Sequence, residues 1–265
     1  MAGVRIARAS SELAVLPGVL AAALLGFPGC SGGGGGGGGS TAGTVAGTAT
    51  DTQGRPLPGA TITVCSSVFY SSCITATTGT DGSYAVRLTP DNQWQATGAV
   101  TTTYNGKTYC LPLAIDNTNT FSSTEAAVRN FSWKLSGAIP GMTPTNYASS
   151  YFGVTLNVVY SSNVNSNTAF VEVDLAPAGP LVDGSPGKSL SDIVGRWASD
   201  AVGNIPLGRY TISARYVPTG GSPASIGIAT SAFDPPAASV TVDFPPDPGG
   251  SCVLEPEATV YVTGP

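Results

Sequence analysis

Glu172 and Asp174 stand at a spacing that could do chemistry. They lie two apart in an alternating apolar segment, so both project from one face of a strand. Carboxylate pairs at defined separations run glycoside hydrolysis. A second candidate is Asp183-Gly184-Ser185-Pro186-Gly187, which lacks the Gly-x-Ser-x-Gly spacing of a nucleophile elbow. The chain contains no histidine. That removes Ser-His-Asp and Cys-His relays and the usual zinc sites of metallopeptidases. Any catalysis is left to carboxylates, Lys, Tyr or Cys. On a strand, Glu172 and Asp174 read as a solvated outer face, and residues 183–187 read as a turn. The expectation is a protein that is not an enzyme, with a carboxylate-based hydrolase as one alternative.

Ligand chemistry is sparse elsewhere. The Asn- and Asp-containing segments 116–120 and 161–168 offer oxygens to calcium but lack the spaced carboxylates of a known loop. No metal site and no cofactor are expected. Nothing marks an amide or acid partner that would link to Lys134. Trp94 and Trp133 alternate with apolar residues and belong to the core. Trp197, beside Arg196 in an irregular segment, and Tyr147 and Tyr151, near a Pro/Gly/Asn-rich loop, are the candidates for a ligand-binding surface. Exposed aromatic faces stack on sugar rings, so a carbohydrate-binding surface protein is the other alternative.

The 265-residue chain carries a net charge of −5, and only 10% of its residues are charged. An acidic chain with few Lys and Arg is a poor partner for nucleic acid. The 35 Gly and 21 Pro, with abundant Thr, Ser and Asn, read as many short strands joined by turns.

Four cysteines follow residue 30: Cys65, Cys73, Cys110 and Cys252. Strand alternation places Cys65 with the threonines of Thr61-Ile62-Thr63-Val64, and Cys73 with those of Ile74-Thr75-Ala76-Thr77. Both thiols thus face outward at the two ends of the loop 66–72. A Cys65–Cys73 bridge is the natural pairing, contributing roughly 2–3 kcal/mol in the loop-entropy account. Cys110–Cys252 follows by elimination and closes a much longer loop; two free thiols are the alternative there.

The positioning elements are strands. Alternation and turn chemistry predict strands over 44–51, 60–65, 73–78, 84–88, 94–104 and 107–111. Asn105-Gly106 is the strongest two-residue hairpin signal in the chain. The polar stretch 116–125 predicts a domain boundary. Beyond it, Phe131, Trp133 and Leu135 alternate with polar residues. So do Phe152, Val154, Leu156, Val158 and Tyr160, then Val171, Val173 and Leu175, then Tyr210, Ile212, Ala214 and Tyr216, then Val240, Val242 and Phe244, and lastly Ala258, Val260 and Val262. Residues 189–198 read either as a short helix or as an irregular strand. The fold class is all-β: two antiparallel β-sandwich domains, over 43–120 and 121–265. Gly-x-Tyr-x-(Val/Ile) recurs at 82–86 and 208–212. It places a tight turn before a tyrosine whose ring packs inward while its hydroxyl reaches backbone.

Gly47-x-Ala49-x-Asp51-x-x-Gly54-x-Pro56-Leu57-Pro58-Gly59-Ala60-x-Ile62-x-Val64, followed by Thr80-Asp81-Gly82-Ser83-Tyr84-x-Val86-x-Leu88 and by Trp94, resembles the carboxypeptidase regulatory-like domain. The resemblance implies a small transthyretin-like β-sandwich that serves as a folding or binding module and is not itself a peptidase. The insertion carrying Cys65 and Cys73 departs from the shortest members. Segments 130–137, 180–185 and 205–210 resemble a β-region that often follows such domains in bacterial proteins, with no activity attached to it.

The first 42 residues read as an address and a tether. Arg5 and Arg8 precede a mostly apolar run over 13–27, which ends in Phe27-Pro28-Gly29-Cys30. A basic flank, a short apolar core and a small residue at the cut are the parts of a secretory signal. Gly29-Cys30 resembles the lipobox of bacterial lipoproteins, although Pro28 is unusual in it. The resemblance implies a signal peptide over 1–29, lipidation of Cys30, and anchoring in the bacterial cell envelope, in the outer membrane if the cell is Gram-negative. Ser31, eight consecutive glycines and Ser40 then form a tether over 30–42 that spans on the order of 20 Å as a coil. The function expected is a non-enzymatic envelope or surface lipoprotein acting as a binding or structural module. Its partners are a membrane through the lipid, and a polysaccharide or an envelope protein, with no nucleic acid.

Overall fold

The computed structural model describes residues 40–69, 72–90, 92–142, 150–160, 169–194, 200–246, 252 and 256–264. They form an all-β protein. The N-terminal half contains β1 (Thr44–Thr50), β2 (Thr61–Ser66), β3 (Cys73–Thr77), β4 (Ser83–Arg87), β5 (Gln93–Tyr104), β6 (Lys107–Ile115), β7 (Phe121–Ser122), β8 (Ala126–Val128) and β9 (Phe131–Trp133). These pair in the order β3-β2-β5-β6-β9-β1-β4, with β7 on β5 and β8 on β1. The alternation read in the sequence is the alternation of burial. Ile62 and Val64 point inward from β2, Tyr84 and Val86 from β4, while Thr61, Ala85 and Arg87 are exposed. The period of two leaves each strand one apolar face to bury.

Turns were placed by local chemistry. Asn105 and Gly106 both take positive φ, 48° and 73°, as a type I′ hairpin requires. Thr78 pins the 56–59 turn: its hydroxyl donates to the Leu57 carbonyl (2.6 Å) and accepts from the Ala60 amide (2.9 Å).

The N-terminal sheet extends past the boundary expected at residue 120. Phe121 pairs with Trp94, Ala126–Val128 with Thr44–Ala46, and Phe131–Trp133 with both β1 and β6. The physical cause is packing: Phe121, Phe131 and Trp133 are buried in the same core as Ile62 and Val86. A polar stretch at 116–120 marks a loop, and the loop returns the chain to the sheet it left.

The C-terminal half contains β10 (Val154–Tyr160), β11 (Ala169–Pro177), β12 (Leu190–Val194), β13 (Ala201–Ile205), β14 (Arg209–Pro218), β15 (Ala224–Ile226), β16 (Ile228–Ala229), β17 (Val240–Asp243) and β18 (Glu257–Val262). One sheet runs β13-β10-β18-β16; the other runs β12-β11-β14-β15, with β17 on β14. Leu156, Val158, Val260 and Val262 of the first share a core with Val173, Leu175, Tyr210 and Ile212 of the second. Within residues 189–198, Leu190–Val194 forms an edge strand on β11. Most pairings are antiparallel, while β1 with β8, β1 with β9 and β10 with β18 are parallel.

Both Gly-x-Tyr repeats work alike. The buried Tyr84 hydroxyl donates to the Arg129 carbonyl at 2.7 Å, and the Tyr210 hydroxyl to the Pro206 carbonyl at 2.8 Å. Burial pushes the Tyr210 phenol up to about 12.

Contacts from the β5–β6 hairpin join the halves. The Tyr104 hydroxyl donates to the Pro180 carbonyl (2.8 Å) and accepts from the Arg209 amide (3.0 Å). The Tyr109 hydroxyl donates to the Phe244 carbonyl at 2.6 Å. Asn105 Nδ2 donates to Asp243 Oδ1, and Asp243 also takes two bonds from the Arg209 guanidinium, at 2.8 and 2.6 Å. The Cys110–Cys252 disulfide, with Cα atoms 4.7 Å apart, closes the same junction covalently.

Candidate functional site

Cys65 and Cys73 are direct cross-strand partners on β2 and β3, and they are bridged. Their Cα atoms are 4.0 Å apart, so the intervening loop starts and ends at one point of the sheet. Inside the loop, the Ser66 hydroxyl accepts from the amides of Val68 (3.1 Å) and Phe69 (2.9 Å) and donates to Asn92 Oδ1 (2.9 Å). The Ser67 amide donates to the Gln93 carbonyl at 2.9 Å. These bonds hold Val68 and Phe69 outward, 63% and 61% exposed. Large apolar side chains held outward in this way are not spent on the core.

Beside this loop lies an open cleft of about 260 Å³, lined by Val68, Asn92, Gln93, Ser122 and Thr124. Its floor is fixed from beneath. Asn92 is buried: its carbonyl accepts from the Ser123 amide (3.1 Å), and Oδ1 also accepts from the Gln93 amide (2.9 Å). Ser122 and Thr124 share a hydroxyl–hydroxyl bond of 2.9 Å. Among the described residues, neither the Asn92 NH2 nor the Gln93 side-chain amide has a hydrogen-bond partner. Among the described residues the lining carries no ionisable group. Sequence reading did not single out this cleft, although the signal existed: Val68-Phe69 is an apolar pair inside a loop closed by predicted partner cysteines.

The carboxylate pair is occupied otherwise. Arg215, across the sheet on β14, reaches Glu172 at 3.0 Å and Asp174 at 3.3 Å, and the Ser191 hydroxyl adds a bond to Glu172 at 3.1 Å. All three charged groups are partly exposed on the outer face of the sheet. One cation between two carboxylates is a cross-strand surface arrangement, which contributes modestly to stability. Residues 183–187 form a turn. Asp183 Oδ1 accepts from the Ser185 amide (3.0 Å) and hydroxyl (2.6 Å), and Oδ2 accepts from the Thr52 hydroxyl (2.6 Å). Burial would raise the Asp183 carboxyl, but the bonds from Ser185 and Thr52 hold it below the usual carboxylate range. Ser185 is thus the donor to its own turn carboxylate, not an activated nucleophile.

Asp116 closes a loop, bonding the Asn130 amide (3.0 Å) and Nδ2 (2.9 Å) with its two oxygens. Among the described residues, no group of three or more Cys, Asp or Glu could hold a metal ion. Arg129 is buried, with no carboxylate partner among the described residues. Its guanidinium lies 4.7 Å from the Phe121 ring centre and donates to the carbonyls of Val128 and Asn119. Trp94 and Trp133 are core residues. Tyr151 is partly buried and pairs with Ala138 in an isolated bridge. Trp197, Tyr147, the 161–168 loop, Cys30 and everything else before residue 40 lie outside the described residues. Structure therefore brings the four cysteines together as two pairs, and it does not assemble Glu172, Asp174 and Asp183 into one site.

No family model matches the chain, and no curated protein matches it. Among solved structures it is similar to the Bacillus anthracis TIE protein, with a TM-score of 0.34 and 11% identity, over 84% of this chain and 34% of that one. It is similar to a streptococcal ancillary pilin, with a TM-score of 0.26 and 13% identity, over 83% of this chain and 62% of the pilin. A single B repeat unit of the collagen-binding surface protein of Staphylococcus aureus follows, with a TM-score of 0.23 and 8% identity, over 84% of this chain and 99% of the repeat. The chain thus spans about a third of the first of these and under two thirds of the second. Scores this low carry no functional argument.

Proposed function

We propose that this chain is a non-enzymatic lipoprotein of the bacterial cell envelope, acting as a binding or structural module. One observation carries the reading: the chemistry-bearing side chains are spent on structure. Cys65, Cys73, Cys110 and Cys252 are paired as disulfides. Glu172 and Asp174 share Arg215, and Asp183 holds a turn. Disulfides persist in oxidising compartments outside the cytosol, which supports export. The N-terminal sandwich acts as a carboxypeptidase regulatory-like module in this reading, supported by the Gly, Pro and Tyr spacing of residues 47–88. Cys30 carries the lipid, residues 1–29 are removed, and the glycine tract lifts the β body off the membrane, the outer membrane in a Gram-negative cell.

Metabolic labelling with a radiolabelled fatty acid tests the anchor. Label is expected on the wild-type chain and absent from Cys30→Ser, with the wild type in the membrane fraction. An unlabelled mature protein that stays soluble overturns it.

A further inference from the structure

We propose that the cleft between the Cys65–Cys73 loop, the start of β5 and β7 is a binding site for a neutral polysaccharide. The inference rests on the binding-module reading above and gives that module a ligand class and a site.

The lining determines the chemistry. Val68 supplies one apolar wall, and Phe69, next to it in the chain, is exposed. A pyranose ring offers two kinds of surface, a C–H face and a hydroxyl edge. The face fits apolar and aromatic side chains; the edge needs amides and hydroxyls. Asn92 brings its NH2 and Gln93 its side-chain amide, and Ser122 and Thr124 bring hydroxyls whose mutual bond leaves one proton to donate. Among the described residues no charged group lines the cleft, so the lining they form offers an anionic or cationic ligand no counter-charge. Its volume of about 260 Å³ falls just below the roughly 300–1,000 Å³ of cofactor and drug pockets. It suits one or two ring units of a longer chain that continues into solvent.

The frame is set before any ligand arrives. The disulfide closes the loop at its base, and Ser66 and Ser67 bond it to Asn92 and Gln93. A frame held by these bonds loses little freedom on binding, which is how preorganisation raises affinity. The Cys65–Cys73 bridge thereby becomes part of the recognition device as well as of the fold.

The test is titration of the full chain, with disulfides intact, against amylose, cellohexaose, chitohexaose and yeast mannan, by calorimetry and by affinity electrophoresis. At least one glycan is expected to bind, with an affinity that does not change as salt is raised, since no ion pair is involved. Val68→Ala and Gln93→Ala, which truncate lining residues, are each expected to weaken it about tenfold, the scale of a truncated contact residue. The Cys65→Ser/Cys73→Ser double variant is expected to weaken it while the chain stays folded. Phe233→Ala removes an aromatic that is 97% exposed on a different loop and is expected to leave affinity unchanged. Absence of binding to all four glycans overturns the proposal. So does binding that survives both Val68→Ala and Gln93→Ala, and this result leaves the binding-module reading standing. A photo-crosslinker at position 69 that captures an envelope protein, with no glycan bound, overturns it in favour of a protein partner.

Discussion

Replacing Gly47 with Ala should unseat the junction of β1 with the 128–131 segment. A Cβ at Gly47 would land within bonding range of the Arg129 carbonyl oxygen, 2.7 Å from its carbon and 3.2 Å from Asn130 Oδ1. These are chiefly backbone atoms, so no side chain can swing aside. β1 would have to part from 128–131. Across that gap Arg129 N donates to Ala46 O at 3.0 Å, and Thr48 N and Thr48 Oγ1 donate to Asn130 Oδ1 at 3.0 and 3.2 Å; from β4, the Tyr84 hydroxyl donates to the same Arg129 carbonyl at 2.7 Å. Overpacking costs about 1–3 kcal/mol, and each strained or lost bond about 1 kcal/mol. With two or three bonds affected, the expected loss is about 3–5 kcal/mol, a large share of an ordinary domain's stability. In a domain of this size that lowers Tm by roughly 6–20 °C. The assay is calorimetric melting of the oxidised chain beside Gly179→Ala. A Cβ at Gly179 meets nothing within 4 Å, and its φ is ordinary. The Gly179 variant should melt within about 0.5 kcal/mol of the parent. A Gly47→Ala loss below about 1 kcal/mol would refute the steric reasoning.

Other consequences follow from the same contacts. Opening the Cys110–Cys252 bridge as a Ser/Ser pair should cost up to about 5 kcal/mol, since it closes a loop with a sequence separation of 142; chemical denaturation measures it. Tyr104→Phe removes one donor to Pro180 and one acceptor for Arg209, so about 1–2 kcal/mol should be lost in the same experiment. Glu172→Gln should change stability by well under 1 kcal/mol, because the pair with Arg215 is partly exposed; a larger loss would mark a buried role. The Arg209 hydrogen bond, against some burial, holds the Asp243 carboxyl below its usual 3.8. The unfolded chain therefore binds this proton more readily than the folded one. Its contribution is present above about pH 4 and is lost as the pH falls through the folded value. Asp243→Asn should flatten the acid limb of a stability–pH curve, and an unchanged limb would count against the pairing.

Local rules were enough for much of the fold. Alternation of apolar residues placed the inward faces of β2, β4, β10 and β14, because a strand has no other way to bury one side. Asn105-Gly106 announced its hairpin, because few other residue pairs tolerate two positive φ values. Cys65 and Cys73 announced their bridge, because both stood on the outward face at matching ends of a loop. Tyr84 and Tyr210 announced buried rings with bonded hydroxyls from a Gly-x-Tyr spacing alone. What pairs with what at long range was not written locally. The polar run at 116–125 looked like the edge of a domain, yet Phe121 within it, and Phe131 and Trp133 beyond it, return to the first core, where Gly98 leaves the space that Phe131 fills. Arg215 settles the fate of Glu172 and Asp174 from a strand some forty positions away. The cleft has the same origin. Val68, Asn92 and Ser122 lie far apart in the chain and meet only because β5 pairs with both β2 and β7. Residue types and spacing determine which face each strand hides; only the closed sheets determine which surface side chains become neighbours, and a binding site is made of neighbours.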